Sequence, residues 1–115
     1  HNLDNLLAAS ACALLAGIAA LGLQPVVVAH APQDDPTAPA AATIALAHLE
    51  LVACARGLGA CWAGYFNAAA LFWPPLRQAL ALPAGQAPLG AMMLGVPRYA
   101  YHCLPPRKAP PITWR

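Results

Sequence analysis

Gly57-Leu58-Gly59-Ala60-Cys61-Trp62-Ala63-Gly64-Tyr65-Phe66 places three glycines and three aromatic residues within ten positions. A glycine has no Cβ, so the backbone can approach another surface or take positive φ there. The neighbouring Trp62, Tyr65 and Phe66 add broad apolar faces. Bare amides beside flat side chains suit a planar ring ligand, and this stretch reads as a close-approach loop between the clearest helix and the Pro-rich second half of the chain.

That helix runs from Ala40 to Arg56. Ile44, Ala47, Leu51 and Ala55 form a stripe joined by Leu46, Leu49 and Val52, with Thr43 near the start. Arg56 and Gly57 supply a C-terminal cation and a C′ glycine. His48 and Glu50 are its only strongly polar side chains, so the helix is expected to be buried nearly all round or to face a partner chain. His48 reads as a half-exposed flank residue.

Further upstream, Pro25-Val26-Val27-Val28-Ala29-His30-Ala31 is an unbroken apolar run opened by a proline, which predicts a central strand buried on both faces. His30 at its end reads as a satisfied structural histidine. The punctuation of Pro32-Gln33-Asp34-Asp35-Pro36-Thr37-Ala38-Pro39 predicts a loop, with Asp34 and Asp35 solvated or capping the next helix rather than binding a metal. Leucines and Ile18 at helical spacings predict a helix over residues 3 to 21. The 18 apolar or small residues from Leu6 to Leu23 are long enough to span a membrane. The alanine content, the lack of flanking aromatics and the absence of a Lys or Arg before Leu6 count against a membrane helix.

Downstream of the glycine stretch, Asn67 is a candidate N-cap for a helix over Ala68 to Phe72, and Trp73-Pro74-Pro75 interrupts it. Pro75 opens a second helical stretch to Leu82, followed by a turn at Pro83-Ala84-Gly85. The apolar run from Pro88 to Pro97 reads as a second buried strand, with Met92 and Met93 as core fillers. Residues 98–115 carry four prolines and predict an extended arm, in which Ile112-Thr113-Trp114 could add an edge strand.

The 115 residues support a single domain. They are 60% hydrophobic and only 9% charged, and much of the apolar excess is alanine, as GC-rich coding produces. Net charge is +2, yet Arg98, Arg107, Lys108 and Arg115, four of the six cations, fall in the last 18 residues with no acid among them, a signal for an anion site. Cys12, Cys54, Cys61 and Cys103 form no Cys-x-x-Cys pair, which argues against zinc or iron–sulfur ligation and for buried, reduced thiols in a cytoplasmic protein. There is no P-loop, no Gly-x-Ser-x-Gly and no dinucleotide-binding fingerprint, so nucleotide hydrolysis and a hydrolase triad have no support.

Taken in order, the signposts resemble the C-terminal half of nitroreductase-family flavoenzymes. The resemblance rests on Val26-Val27-Val28-Ala29, the helix Ile44–Ala53, the Gly57–Phe66 stretch, Leu80-Ala81-Leu82-Pro83-Ala84-Gly85, Gly95-Val96-Pro97 and Pro106-Arg107-Lys108. Trp73-Pro74-Pro75 and the Ile112-Thr113-Trp114 ending look like members that also carry an N-terminal ferredoxin-like domain. The resemblance implies an α+β fold, a mixed sheet flanked by helices, as a partial domain within a homodimer. It also implies FMN at the subunit interface, with hydride passing from NAD(P)H through FMN to a nitroaromatic or quinone-like acceptor, and no nucleic-acid partner. By the same resemblance, the amides of Ala63, Gly64 and Tyr65 approach the flavin edge, Arg107 assisted by Lys108 binds its phosphate, and no side chain of this chain is assigned as catalytic. The family's N-terminal Arg-Ser-x-Arg segment and Asn-rich loop do not occur in residues 1–115, so the chain is expected to carry about half of a flavin site. A non-catalytic remnant serving as a dimerisation module, and a small membrane protein using residues 6–23, are the alternative expectations.

Overall fold

A computed structural model describes residues 24–114; the helix expected over residues 3–21 and the apolar run at 6–23 lie outside the described residues. The elements are β1 (Val26–Pro32), α1 (Ala38–Ala55), β2 (Gly59–Trp62), α2 (Gly64–Phe72), α3 (Pro74–Leu80) and β3 (Gln86–Gly95). This is the α+β class expected. The strands form one sheet of order β1-β3-β2, and both pairings are antiparallel, so this part of the sheet lacks the mixed character implied by the resemblance.

The central strand is β3, and the Val26–Pro32 strand expected at the centre is an edge of the described sheet. An unbroken apolar run reports burial on its faces but does not fix which neighbours pair with it. β3 is long enough to serve both partners, meeting β1 along Gln86 to Met93 and β2 along Met92 to Gly95. Its Ala87, Pro88, Gly90, Ala91, Met92 and Leu94 are buried, whereas Val27, Val28 and Ala29 of β1 are only half-buried. Pro88 cannot donate to a ladder, and it is tolerated because β2 does not reach that level. The register also slips beside it: Ala29 faces Gly90 and His30 faces Pro88, leaving Leu89 as the extra residue of a bulge.

The turn before α1 is tied by Asp35, whose Oδ1 accepts the backbone amide of Thr37 at 2.8 Å and its hydroxyl at 2.7 Å. The Thr37 hydroxyl, its amide and the Ala38 amide hold this exposed carboxyl below the ordinary aspartate range, against a small opposing effect of desolvation. At the other end, Gly57 takes φ +74° and α1 closes as predicted on a C′ glycine. Leu58 N donates to Ala53 O at 2.9 Å and Gly57 N to Cys54 O at 3.0 Å. This is the paired bonding of a Schellman cap, completed by burial of Leu58.

The core cluster joins Leu46 and Ala53 of α1, Leu58, and Met92 and Leu94 of β3, with Val27, Ala29, Leu49 and Ala60 packed against it. Burying one side chain such as Leu46 contributes about 1.5–3 kcal/mol. Gly90 lets α1 sit close, since a Cβ there would stand 2.7 Å from Leu46 Cδ1.

The rest of α1 is less covered than expected: only Ala38, Ala42, Leu46 and Ala53 are buried, while Ile44 is 57% and Leu51 67% exposed. Of the two expectations for this helix, burial all round within the chain is therefore overturned. Its length and apolarity would also allow it to cross a membrane, but the Leu46–Ala53 seam ties it to the sheet.

Three further expectations change. The glycine stretch is not a loop: its middle is β2 and its end is the first turn of α2. Asn67 is therefore inside α2 rather than capping it, because the chain passes from strand to helix at Ala63. The second helical stretch ends at Leu80, two residues early, with Ala81 in the left-handed region at φ 47°. The break between α2 and α3 falls at Trp73, which takes an extended conformation as a residue preceding proline does. Residues 96–114 are exposed and form no regular element, and no strand occurs at 112–114.

Candidate functional site

The junction of β2 and α2 is built by one residue serving two ladders. Ala63 N donates to Ala91 O of β3 at 2.8 Å, which extends the sheet by one rung. Ala63 O accepts from Asn67 N at 3.0 Å, which opens the helix. The amides of Gly64 and Tyr65 follow in the first turn, where helix geometry provides no intrahelical acceptor and the helix dipole leaves partial positive charge. Of the three amides singled out in the sequence, Ala63's is thus already engaged, and those of Gly64 and Tyr65 sit at the helix start. A Cβ placed on Gly64 would meet nothing within 4 Å, and the Tyr65 side chain is 97% exposed. Among the described residues nothing closes the approach to this turn.

The indole of Trp62, last residue of β2, is held from the helix side: Nε1–H donates to Glu50 Oε2 of α1 at 3.1 Å. Along the sequence Glu50 is one of two strongly polar side chains on an apolar helix, with no partner visible nearby. The available signal was a single carboxylate on an 18-residue apolar helix.

A cleft of about 360 Å³ opens toward the Gly59–Gly95 end of the β2–β3 ladder, between Cys61 of β2, Met93 and Gly95 of β3, and Arg98, Tyr99 and Tyr101 of the tail. The Arg98 guanidinium lies 5.6 Å from the Tyr99 ring centroid, a cation–π distance. Met92 is fully buried as a core filler, but Met93 is exposed on this cleft. A second cavity of about 200 Å³ lies at the Leu82–Pro88 turn beside Arg77. Arg107 and Lys108 are both exposed in the tail and line neither cavity.

The cysteines differ from expectation. Cys54, Cys61 and Cys103 are free but exposed rather than buried, because Cys54 falls on the uncovered flank of α1, Cys61 on the cleft side of β2 and Cys103 in the tail. Cys12 lies outside the described residues. His30 pairs through Nδ1 with the Gln86 side-chain oxygen across the β1–β3 ladder, the structural satisfaction expected of it. Among the described residues no cluster of three or more His, Cys, Asp or Glu side chains could hold a metal ion.

The Nitroreductase family model matches residues 7–96 of this chain. The matched span ends before the tail that carries Arg107 and Lys108. No curated protein matches the chain. Among solved structures, the fold resembles a nitroreductase with bound FMN from Bacteroides fragilis, with a TM-score of 0.64 at 22% sequence identity. The similarity covers 76% of this chain and 49% of that one, so this chain spans about half the length of the solved structure it matches.

Proposed function

This chain belongs to the nitroreductase family, and from that premise we propose that it supplies one wall of an FMN site in an oxidoreductase passing hydride from NAD(P)H to a nitroaromatic or quinone-like acceptor. One observation carries the reading: among the described residues the start of α2 is open, with no Cβ on Gly64 and nothing within 4 Å of where one would stand. A flat ring can reach the first-turn amides there without displacing a side chain.

The residues present fit the cofactor's chemistry. Gly64 and Tyr65 offer amide donors in the positive field of a helix start, which suits the polar N5 and O4 edge of a flavin. Ala63, whose amide is bonded to Ala91, fixes their direction. Arg107 and Lys108 are exposed in the tail, so they are accessible to hold a phosphate by charge-assisted hydrogen bonds. FMN would supply the redox chemistry; the chain binds it, orients it and polarises its edge.

The exposed Ile44 and Leu51 of α1 suit burial against a second copy, consistent with the homodimer that the family resemblance implies. Cys54, Cys61 and Cys103, exposed and in no disulfide, suit a reducing cytoplasm.

The test is direct. Purified chain mixed with FMN should retain yellow absorbance after desalting, and Arg107→Ala should raise the dissociation constant about 10- to 150-fold, the equivalent of about 1.5–3 kcal/mol for a hydrogen bond to a charged group. A chain with folded circular dichroism that retains no flavin would refute the reading and leave the interaction-module alternative. An unchanged dissociation constant for Arg107→Ala would remove that residue from the site.

A further inference from the structure

We infer that Glu50 is a positioning residue for the first-turn amides of α2, acting through Trp62; this rests on the flavin reading above. The peptide between Trp62 and Ala63 is held on two sides. Ala91 O accepts the Ala63 amide at 2.8 Å, and Glu50 Oε2 accepts the Trp62 indole N–H at 3.1 Å. The first bond sets the height of the junction against β3. The second ties the side chain immediately before it to α1.

Nothing in the packing of α1 calls for a carboxylate at position 50. The helix is otherwise apolar or small apart from Thr43 and His48, and it docks through Ala38, Ala42, Leu46 and Ala53. Glu50 is only half-exposed, so its charge is partly desolvated and gains from a fixed donor. Trp62 is 43% exposed; without the bond its ring could change rotamer into solvent, and the strand end would lose its lateral restraint. The two bonds therefore act in series on the same short segment: α1 holds Trp62, Trp62 fixes the end of β2, and the end of β2 aims the Gly64 and Tyr65 amides.

The test uses the full chain with Glu50→Ala, Glu50→Gln, Trp62→Phe and the Glu50→Ala/Trp62→Phe pair. Glu50→Gln keeps an acceptor oxygen and should bind FMN within about twofold of the parent. Glu50→Ala and Trp62→Phe should each weaken FMN binding about tenfold, the scale of one lost hydrogen bond. The pair should be no worse than either single variant, because both remove the same bond. Amide hydrogen exchange provides a readout that needs no flavin. The Ala63 amide should exchange about tenfold faster in Glu50→Ala and Trp62→Phe but not in Glu50→Gln, with Met92 and Leu94 unchanged, as local opening requires.

Unchanged Ala63 exchange in Glu50→Ala overturns the proposal. So does parental FMN affinity in Glu50→Ala when Gly64→Val loses binding, an outcome that leaves the flavin reading standing. If the parent chain binds no FMN, the flavin reading and the purpose assigned to Glu50 both fall.

Discussion

Substituting Gly90→Ala tests the contact that sets the spacing between α1 and the sheet. The added methyl carbon would stand 2.7 Å from Leu46 Cδ1, about 1 Å inside the favourable carbon–carbon separation. Leu46 is 3% exposed and belongs to the core cluster with Ala53, Leu58, Met92 and Leu94, so Cδ1 has no solvent to swing into. Overpacking of this kind costs about 1–3 kcal/mol, offset by about 0.5–1 kcal/mol because alanine loses less backbone freedom than glycine in a strand. The expected net loss is about 0–2.5 kcal/mol. Leu46→Ala alone leaves a cavity and should cost about 2–5 kcal/mol. In that background Cδ1 is gone and the added methyl carbon occupies part of the void, so Gly90→Ala should become neutral or stabilising. The two changes should therefore couple by about 1–3 kcal/mol. Urea unfolding followed by far-ultraviolet circular dichroism, with the slope unchanged across the set, measures each corner of the cycle. Leu46→Val gives the same sign at smaller size and keeps the cycle measurable if Leu46→Ala is too unstable. Effects that add to within about 0.5 kcal/mol would refute the close packing of α1 on β3 at this level.

Three other outcomes follow from single sites. Gly57→Ala should cost about 1–2 kcal/mol in the same unfolding assay, because φ +74° is disfavoured for an L side chain although space is open around it; a neutral result would contradict the Schellman cap. Gly64→Val should leave the unfolding midpoint nearly unchanged, since nothing lies within 4 Å of the added Cβ, while FMN affinity falls; wild-type affinity in a folded variant would remove this turn from the site. The Asp35 carboxyl is held below the ordinary aspartate range by its bonds to Thr37. Its contribution to stability should be fully present above the ordinary value and disappear as pH falls through the lower folded value, so the stability gap between the parent and Asp35→Ala should close in acid. A gap independent of pH would show that the charged form does not matter to the turn.

Local chemistry was legible in the sequence. The α1 stripe, the C′ glycine at Gly57, the proline break after Trp73 and the apolar β3 run each follow from interactions within a few residues of chain. The ordered succession of these signals also pointed to the nitroreductase family, to which the chain belongs. The glycine stretch was the instructive exception. Its glycines and aromatics marked a place of close approach, but they could not show that Gly59–Trp62 completes a sheet, because that pairing depends on Met92–Gly95, far downstream in the chain.

Helix periodicity, caps and proline breaks are local, so α1, its C′ glycine, the break at Trp73 and the apolar runs of β1 and β3 could be read from neighbouring residues alone. The central place of β3 and the edge place of β1 in the described sheet emerge only on folding, because pairing partners are chosen by strand length and packing across the chain. The tertiary structure alone brought Glu50 to the Trp62 indole and engaged the Ala63 amide with Ala91. Those bonds join residues on separate elements, and no spacing along the chain encodes the distance between them.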